Sequence, residues 1–141
     1  MLGETFQFKI HGDSRGSLIA LENLKDFPFE VRRVYYIFDT LPNVRRGFHA
    51  HKKLKQVLIC VNGFCKIHLD NGLGETKEVL LDRPDIGLYI ASNVWREMYD
   101  FSDHAVLLVL ASEFYDEKDY IRDYNKFLEY VREQAGGSQN G

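Results

Sequence analysis

Apolar and polar residues alternate along most of the chain with the period of β-strands. "TFQFKI" at 5–10 and "SLIALE" at 17–22 alternate residue by residue, and "VRRVYYIF" at 31–38 is β-branched and aromatic. "KQVLICV", "FCKIHLD", "KEVLL", "IGLYIA" and "AVLLVLAS" continue the series, with turn-formers in "NGLGE", "DRPD" and "SDH" between the later ones. Many short strands at close spacing predict an all-β sandwich or barrel. "VLICV" and "VLLVL" are apolar at consecutive positions. Such strands are expected to be covered on both faces, by another sheet or by a partner subunit.

Two segments carry a different signal. Asn62-Gly63 stands between two apolar runs and predicts a two-residue hairpin, with Cys60 opposite Cys65 as a reduced, buried thiol pair. Over 116–134, apolar Tyr120, Ile121, Tyr124, Phe127, Leu128 and Val131 recur at helical spacing. This predicts one C-terminal helix packed on the outside of the barrel, with Asp116 as its N-cap and acidic residues in its first turn. "GGSQNG" has nothing to bury, so the pattern predicts a single domain over residues 1–135 and a disordered tail at 136–141.

Composition narrows the function classes. The chain has 141 residues, 45% hydrophobic and 28% charged, with a net charge of −3. That suits one soluble domain and argues against general nucleic-acid binding, which needs a broad basic surface. No apolar run is long enough to span a membrane, and "MLGETFQFKI" lacks the order of a signal peptide. A cytoplasmic protein with no membrane or nucleic-acid partner is expected.

The chemistry concentrates in "RRGFHAHKKLKQ", Arg45–Gln56. On a strand His49 and His51 share a face and Ala50 points away. Gly47 would allow the backbone to approach a ligand closely. The run matches the first metal-binding motif of the cupins in spacing, His-x-His, four residues, then six residues before Gly63, but Gln56 stands where the acidic ligand belongs. In "GLYIASNVWREM" the position of the last histidine ligand carries Arg96. Two ligands are therefore kept and two lost, and a guanidinium would repel a cation. No metal and no cofactor are expected.

Without a metal, paired imidazoles suit general acid–base work, because histidine takes and returns protons near neutrality. Arg45, Arg46, Lys52, Lys53 and Lys55 lie close by in a chain that is acidic overall, and Arg15 in "DSRGS" adds another cation. Guanidinium and ammonium groups beside such a pair point to a phosphorylated small molecule.

"DSRGSLIALE", "VRRVYYIF", "RGFHAHKKLKQVLICVNG", "IGLYIASNVWREM" and "VLLVLASEFYDEKDYIRDYNKF", in this order, resemble the cupin-fold sugar nucleotide 3,4-ketoisomerases along nearly the whole chain. A weaker similarity, through D-x-R-G and R-G-x-H, links the chain to dTDP-sugar 3,5-epimerases. The stronger resemblance implies an antiparallel cupin jelly roll without metal, forming a homodimer in which strands are exchanged or shared. It implies conversion of dTDP-4-keto-6-deoxyglucose to a 3-keto isomer, on the way to 3-amino-3,6-dideoxy sugars of surface glycans such as O-antigen or S-layer. It makes His49 and His51 the catalytic pair. Arg15, Tyr35, Arg46, Lys53, Gln56, Trp95 and Arg96 are the expected substrate-binding residues. His49 is expected to act at C3 and His51 near C4, with the reverse assignment open. Relatives carry His or Arg at position 96 and vary around Arg15 and Ser17, and these positions bear on whether C4 ends gluco or galacto. Three further readings stay open: a 3,5-epimerase, a metal-dependent cupin using His49, His51 and Gln56, and a non-catalytic sugar-binding cupin.

Overall fold

The computed structural model describes the backbone of residues 2–140 and the side chains through residue 136. The tail expected at 136–141 therefore falls, from residue 137 on, outside the described side chains, and residue 141 lies outside the description altogether.

The chain forms two five-stranded antiparallel sheets and a separate hairpin. The first sheet runs β1 (Thr5–Gln7), β9 (Ile86–Ile90), β6 (Gln56–Asn62), β11 (Val106–Ala111), β4 (Arg33–Ile37). The second runs β12 (Tyr120–Ile121), β5 (Arg46–His51), β10 (Trp95–Tyr99), β7 (Cys65–Asp70), β8 (Thr76–Leu81). This is the all-β architecture expected from the strand pattern and the cupin-type jelly roll that the family resemblance implied. β2 (His11–Asp13) and β3 (Gly16–Leu18) pair only with each other. The one α-helix among the described residues, α1, spans Tyr124–Asn140. No helix among the described residues is long and apolar enough to cross a membrane.

Strand alternation sorts side chains into two compartments. Leu58, Cys60, Ile67, Leu69, Leu88, Leu107 and Val109 fill the space between the sheets. On the other face of β6 and β11, Val57, Ile59 and Leu110 are covered by Phe8, Phe27 and Phe29. The consecutive apolar runs are thus buried twice, but the second cover is an aromatic loop of the same chain rather than another sheet.

The Asn62-Gly63 turn is not a hairpin, which corrects the expectation. β6 pairs with β9 and β11, whereas β7 pairs with β8 and β10. The turn, with Gly63 in the left-handed region at φ 72°, carries the chain from one sheet to the other. Cys60 and Cys65 still meet, across the inter-sheet core and as free thiols hydrogen-bonded to each other. The neighbouring Cys60 sulfur first and burial second push the Cys65 thiol far up, which keeps it protonated.

The helix also starts later than its periodicity predicts. Asp116 caps only a short 3-10 turn over Glu117–Asp119. The chain then extends as β12, pairing Tyr120 with His51 and Ile121 with Ala50. α1 begins after Asp123, whose carboxylate accepts from the Lys126 amide at 3.0 Å. The helical spacing survives because Ile121 and the helix residues Phe127 and Val131 bury against the same surface, formed by Ala50 and Trp95. Tyr124 donates to Asp70 at 2.6 Å and packs edge-on against Trp95.

Phe127 has no exposed surface at the centre of this contact. Phe127→Ala is expected to lower stability by about 3–5 kcal/mol in urea unfolding. A loss below about 1 kcal/mol would mean that α1 contributes little to holding β5, β10 and β12 together.

Candidate active site

The second sheet sets the site by placing chemistry on its inner face and scaffold on its outer face. On β5, His49 and His51 point inward while Ala50 lies under α1. On β10, Arg96 pairs with His49 and faces inward, and its neighbour Trp95 faces α1. On β12, Tyr120 pairs with His51 and faces inward, and Ile121 faces outward.

A bulge adjusts this alternation. Between Arg96 and Glu97 the β5–β10 register shifts, so that Arg96 opposes His49, Glu97 opposes Gly47 and Met98 opposes Arg46. Phe48 is the extra residue and takes φ 56°. Arg46 and His49 are an odd number apart and would face opposite ways on a regular strand. The bulge returns Arg46 to the histidine face. Gly47 has φ 95°, and a Cβ there would sit 2.8 Å from the Arg96 carbonyl oxygen. Its role is therefore close strand approach inside the sheet, where the sequence suggested approach to a ligand.

The imidazoles are held in defined tautomers. His49 Nδ1 lies 3.0 Å from the Gly47 carbonyl oxygen, and His51 Nδ1 lies 3.1 Å from Asp119 Oδ2. Carbonyl and carboxylate oxygens only accept, so each Nδ1 donates and each Nε2 carries a lone pair. The rings sit 5.0 Å apart nearly at right angles, and Tyr120 packs on both, 5.1 Å from His49 and 4.4 Å from His51. The Arg122 guanidinium lies 4.1 Å from the Tyr120 ring centroid.

Opposite them, a polar chain crosses between the sheets. Tyr35 Oη on β4 accepts from Gln56 Nε2 on β6 at 2.8 Å. Gln56 Oε1 accepts from an Arg96 Nη at 2.5 Å, and the other Nη donates to the Val94 carbonyl at 2.9 Å. Arg96 is 1% exposed and has no carboxylate partner among the described residues. Its Nε and the Nε2 of His51 are buried without a hydrogen-bond partner.

The electrostatics follow from that buried cation. Burial brings the Arg96 guanidinium down to about 10, so it remains charged at neutral pH. Burial first and Arg96 second depress both imidazoles, His49 to about 4 and His51 to about 2. Both are neutral near pH 7. Burial raises the Tyr35 phenol, which stays protonated.

The donor set does not suit a cupin metal. Gln56 offers its oxygen to Arg96 rather than to the histidines, and the fixed guanidinium would face any cation placed beside them. No group of three or more His, Cys, Asp or Glu able to hold a metal ion occurs among the described residues.

The other expected residues are placed less uniformly. His49, His51, Tyr35, Gln56 and Arg96 converge. Trp95 does not: alternation puts it under α1, where its indole N–H donates to Glu97 at 3.0 Å. Arg15 is 88% exposed on the β2–β3 hairpin and is bound to Asp13. The basic cluster disperses instead of forming one cradle. Arg45 binds Glu97 and lies 3.8 Å from the Tyr99 ring centroid. Lys52 lines a cleft of about 580 Å³ with Arg122 and Lys126. Lys53 and Lys55 line another of about 210 Å³ with Arg32 and Glu113. Only Arg46 of the five shares the histidine face. Three residues escaped the sequence reading: Arg33, whose charge also depresses His51, Asp119 and Tyr120. The last two lie within the 116–134 segment whose apolar spacing predicts a helix, which hides their place at the site.

The depressed imidazoles make stability depend on pH. Below about pH 6.5 the unfolded chain protonates histidines that the native chain keeps neutral, so stability falls as pH falls through that window. Each such imidazole contributes at most about 1.4 kcal/mol per pH unit, less for the part-exposed His49. The melting temperature is expected to drop between pH 7 and pH 5, and to drop less steeply in His51→Asn. Equal slopes in the two proteins would contradict a neutral buried His51.

Comparison with known proteins agrees with this geometry. A protein-family profile described as "FdtA: WxcM-like, C-terminal" matches residues 3–132. The chain is 53% identical over 131 residues to the TDP-4-oxo-6-deoxy-alpha-D-glucose-3,4-oxoisomerase of Aneurinibacillus thermoaerophilus, covering 93% of this chain and 94% of that protein. It is 57% identical to a solved TDP-quinovose 3,4-ketoisomerase from Campylobacter jejuni, with a TM-score of 0.85, over 89% of this chain and 96% of the other. It is 47% identical to a sugar 3,4-ketoisomerase from Thermoanaerobacterium thermosaccharolyticum solved in complex with TDP, with a TM-score of 0.90, over 93% and 95% of the two chains. With a profile match over nearly its full length and this degree of identity, the chain belongs to the FdtA family of WxcM-like C-terminal domains.

Proposed function

We propose that the protein is a sugar nucleotide 3,4-ketoisomerase that converts dTDP-4-keto-6-deoxyglucose to a dTDP-3-keto-6-deoxyhexose. The observation that carries this reading is a pair of neutral imidazoles, each with Nε2 free, beside a buried guanidinium that has no carboxylate partner among the described residues. Isomerisation of an α-hydroxy ketone needs those parts: a base for a carbon-bound proton, a carrier for a hydroxyl proton, and a fixed positive charge for the oxyanion.

The C4 ketone acidifies the hydrogen on C3. His49 Nε2 takes that proton, the C3–H electron pair forms the C3=C4 bond, and charge moves to O4. Arg96, short of an anionic partner in the free protein, gains one as that charge develops. The same anion offsets the penalty on the new His49 imidazolium, which burial and Arg96 otherwise disfavour. The hydroxyl proton passes from O3 through His51 to O4. The O3 electron pair then forms the C3 ketone, and C4 takes the proton held on His49. Both imidazoles return to neutral and no external oxidant or reductant is consumed. His49 is the more open of the two rings, which supports its assignment to carbon, while His51 is 1% exposed.

Tyr35, Gln56 and Arg46 complete the substrate site in this reading, and the product feeds synthesis of 3-amino-3,6-dideoxy sugars. The enzyme works in the cytoplasm without a nucleic-acid or membrane partner. It is a homodimer. Edge strand β4 and the residue after it present Val34, Tyr36 and Phe38, each more than half exposed, and the β2–β3 hairpin pairs with neither sheet. An exposed apolar edge and an unattached hairpin suit a second copy, whose site would receive Arg15.

Incubation with dTDP-4-keto-6-deoxyglucose in deuterated water, followed by NMR, is expected to show the ketone moving to C3 with deuterium gained at C4. Deuterium at C5 with the ketone retained at C4 would instead identify an epimerase. His49→Asn is expected to reduce turnover by about 1,000-fold or more while TDP binding persists. Light scattering is expected to give a dimer mass, and the double substitution Tyr36→Glu, Phe38→Glu a monomer. A parent protein that is monomeric at micromolar concentration would sink the dimer.

A further inference from the structure

Asp119, the last residue of the 3-10 turn, lies against the Nδ1 edge of His51. Its Oδ2 accepts from His51 Nδ1 at 3.1 Å and from the Leu54 amide at 3.2 Å, and its Oδ1 accepts from the Lys53 amide at 2.7 Å. Backbone bonds hold both partners in place: the Lys52 amide donates to the Asp119 carbonyl at 3.0 Å and the Asn93 amide to the His51 carbonyl at 2.7 Å. The side chains of His51 and Asp119 are 1% and 11% exposed. The carboxylate is thus pinned by two amides and has no freedom to turn from the ring.

This arrangement leaves His51 one tautomer. A neutral imidazole has a single N–H, and a carboxylate facing Nδ1 claims it, so Nε2 must be the acceptor. That Nε2 is buried without a partner among the described residues. A free lone pair on a buried nitrogen is costly unless something arrives to use it.

We infer that Asp119 is the positioning residue of the keto transfer: it holds His51 with hydrogen on Nδ1, so that Nε2 can take the hydroxyl proton from O3 and deliver it to O4. The inference rests on the ketoisomerase reading. The proton leaves O3 for Nε2, giving an imidazolium whose Nδ1–H faces the carboxylate. It then leaves Nε2 for O4, and His51 is neutral again. In between, the imidazolium is buried and near Arg96, two conditions that oppose positive charge, and Asp119 supplies the compensating negative charge. Without it, the opposite tautomer would present an N–H to O3, where an acceptor is needed.

A purely structural alternative has Asp119 acting only as a cap on the 52–54 turn, and the test separates the two. The imidazole nitrogens of ¹⁵N-histidine-labelled protein are observed by NMR, with His51 assigned by its loss in His51→Asn. The expected result is a protonated Nδ1 and an unprotonated Nε2 at His51, shifting toward protonated Nε2 in Asp119→Asn. In that variant kcat is expected to fall about 100-fold or more, with KM and TDP affinity within about 3-fold of the parent. A protonated Nε2 in the parent protein overturns the proposal without any variant, and so does an Asp119→Asn enzyme with kcat within about 5-fold of the parent. A large kcat loss with the tautomer unchanged also overturns it. Failure of the parent to turn over dTDP-4-keto-6-deoxyglucose would instead overturn the ketoisomerase reading, and the tautomer measurement would stand apart from it.

Discussion

A positive charge sits in the interior of this protein with no negative side chain among the described residues bound to it. Arg96 is anchored by the Gln56 side chain from the opposite sheet and by the Val94 carbonyl just before its own strand. These neutral oxygens fix the guanidinium without cancelling its charge. An ion so buried is ordinarily paired, because desolvation costs several kcal/mol. Here the missing charge is what the proposed chemistry would bring. Burial first and that field second keep His49 and His51 neutral, so the bases are ready near pH 7 and the electrophile is already in place.

The strand period connects that site to the rest of the fold. Each strand of the second sheet that contributes chemistry inward contributes scaffold outward. His49 and His51 alternate with Ala50, Arg96 with Trp95, and Tyr120 with Ile121. The outward residues are the surface on which α1 docks, with Phe127 at its centre. The helix therefore braces the strands that carry the reacting groups while taking no place among them. The bulge at Phe48 adds a correction of one residue, which brings Arg46 to the histidine face and needs a glycine at position 47 to let the strands approach.

Much of the fold was legible because period-2 alternation is a local property that burial preserves. β4, β6, β7, β8, β9 and β11 appear where alternation and turn residues place them, and β10 is defined by its pairing with β5 and β7. The histidine pair was legible for the same reason, since spacing within one strand decides which side chains share a face; Gln56 and Arg96 were legible from the cupin motif positions they occupy, and Tyr35 only through the family resemblance. The Asn62-Gly63 turn misled because a tight turn can join two sheets as readily as two paired strands, and its own residues do not say which. The Tyr120–Ile121 segment misled because its apolar spacing suits a helix, while pairing with β5 gives it another use.

By itself, then, the sequence determined an all-β chain, an imidazole pair on one strand face and the loss of the acidic and last histidine ligands of a cupin metal site. Those facts depend on residue identity and on separations of a few positions. Only the tertiary structure decided that Arg96 is bound to Gln56 across the core, that the flanking lysines disperse, that Trp95 belongs to the helix contact, and that Asp119 stands behind His51. Asp119 and His51 are 68 residues apart. No periodicity reaches that far, and the contact exists because backbone pairing of β12 with β5 brings the two side chains to one place.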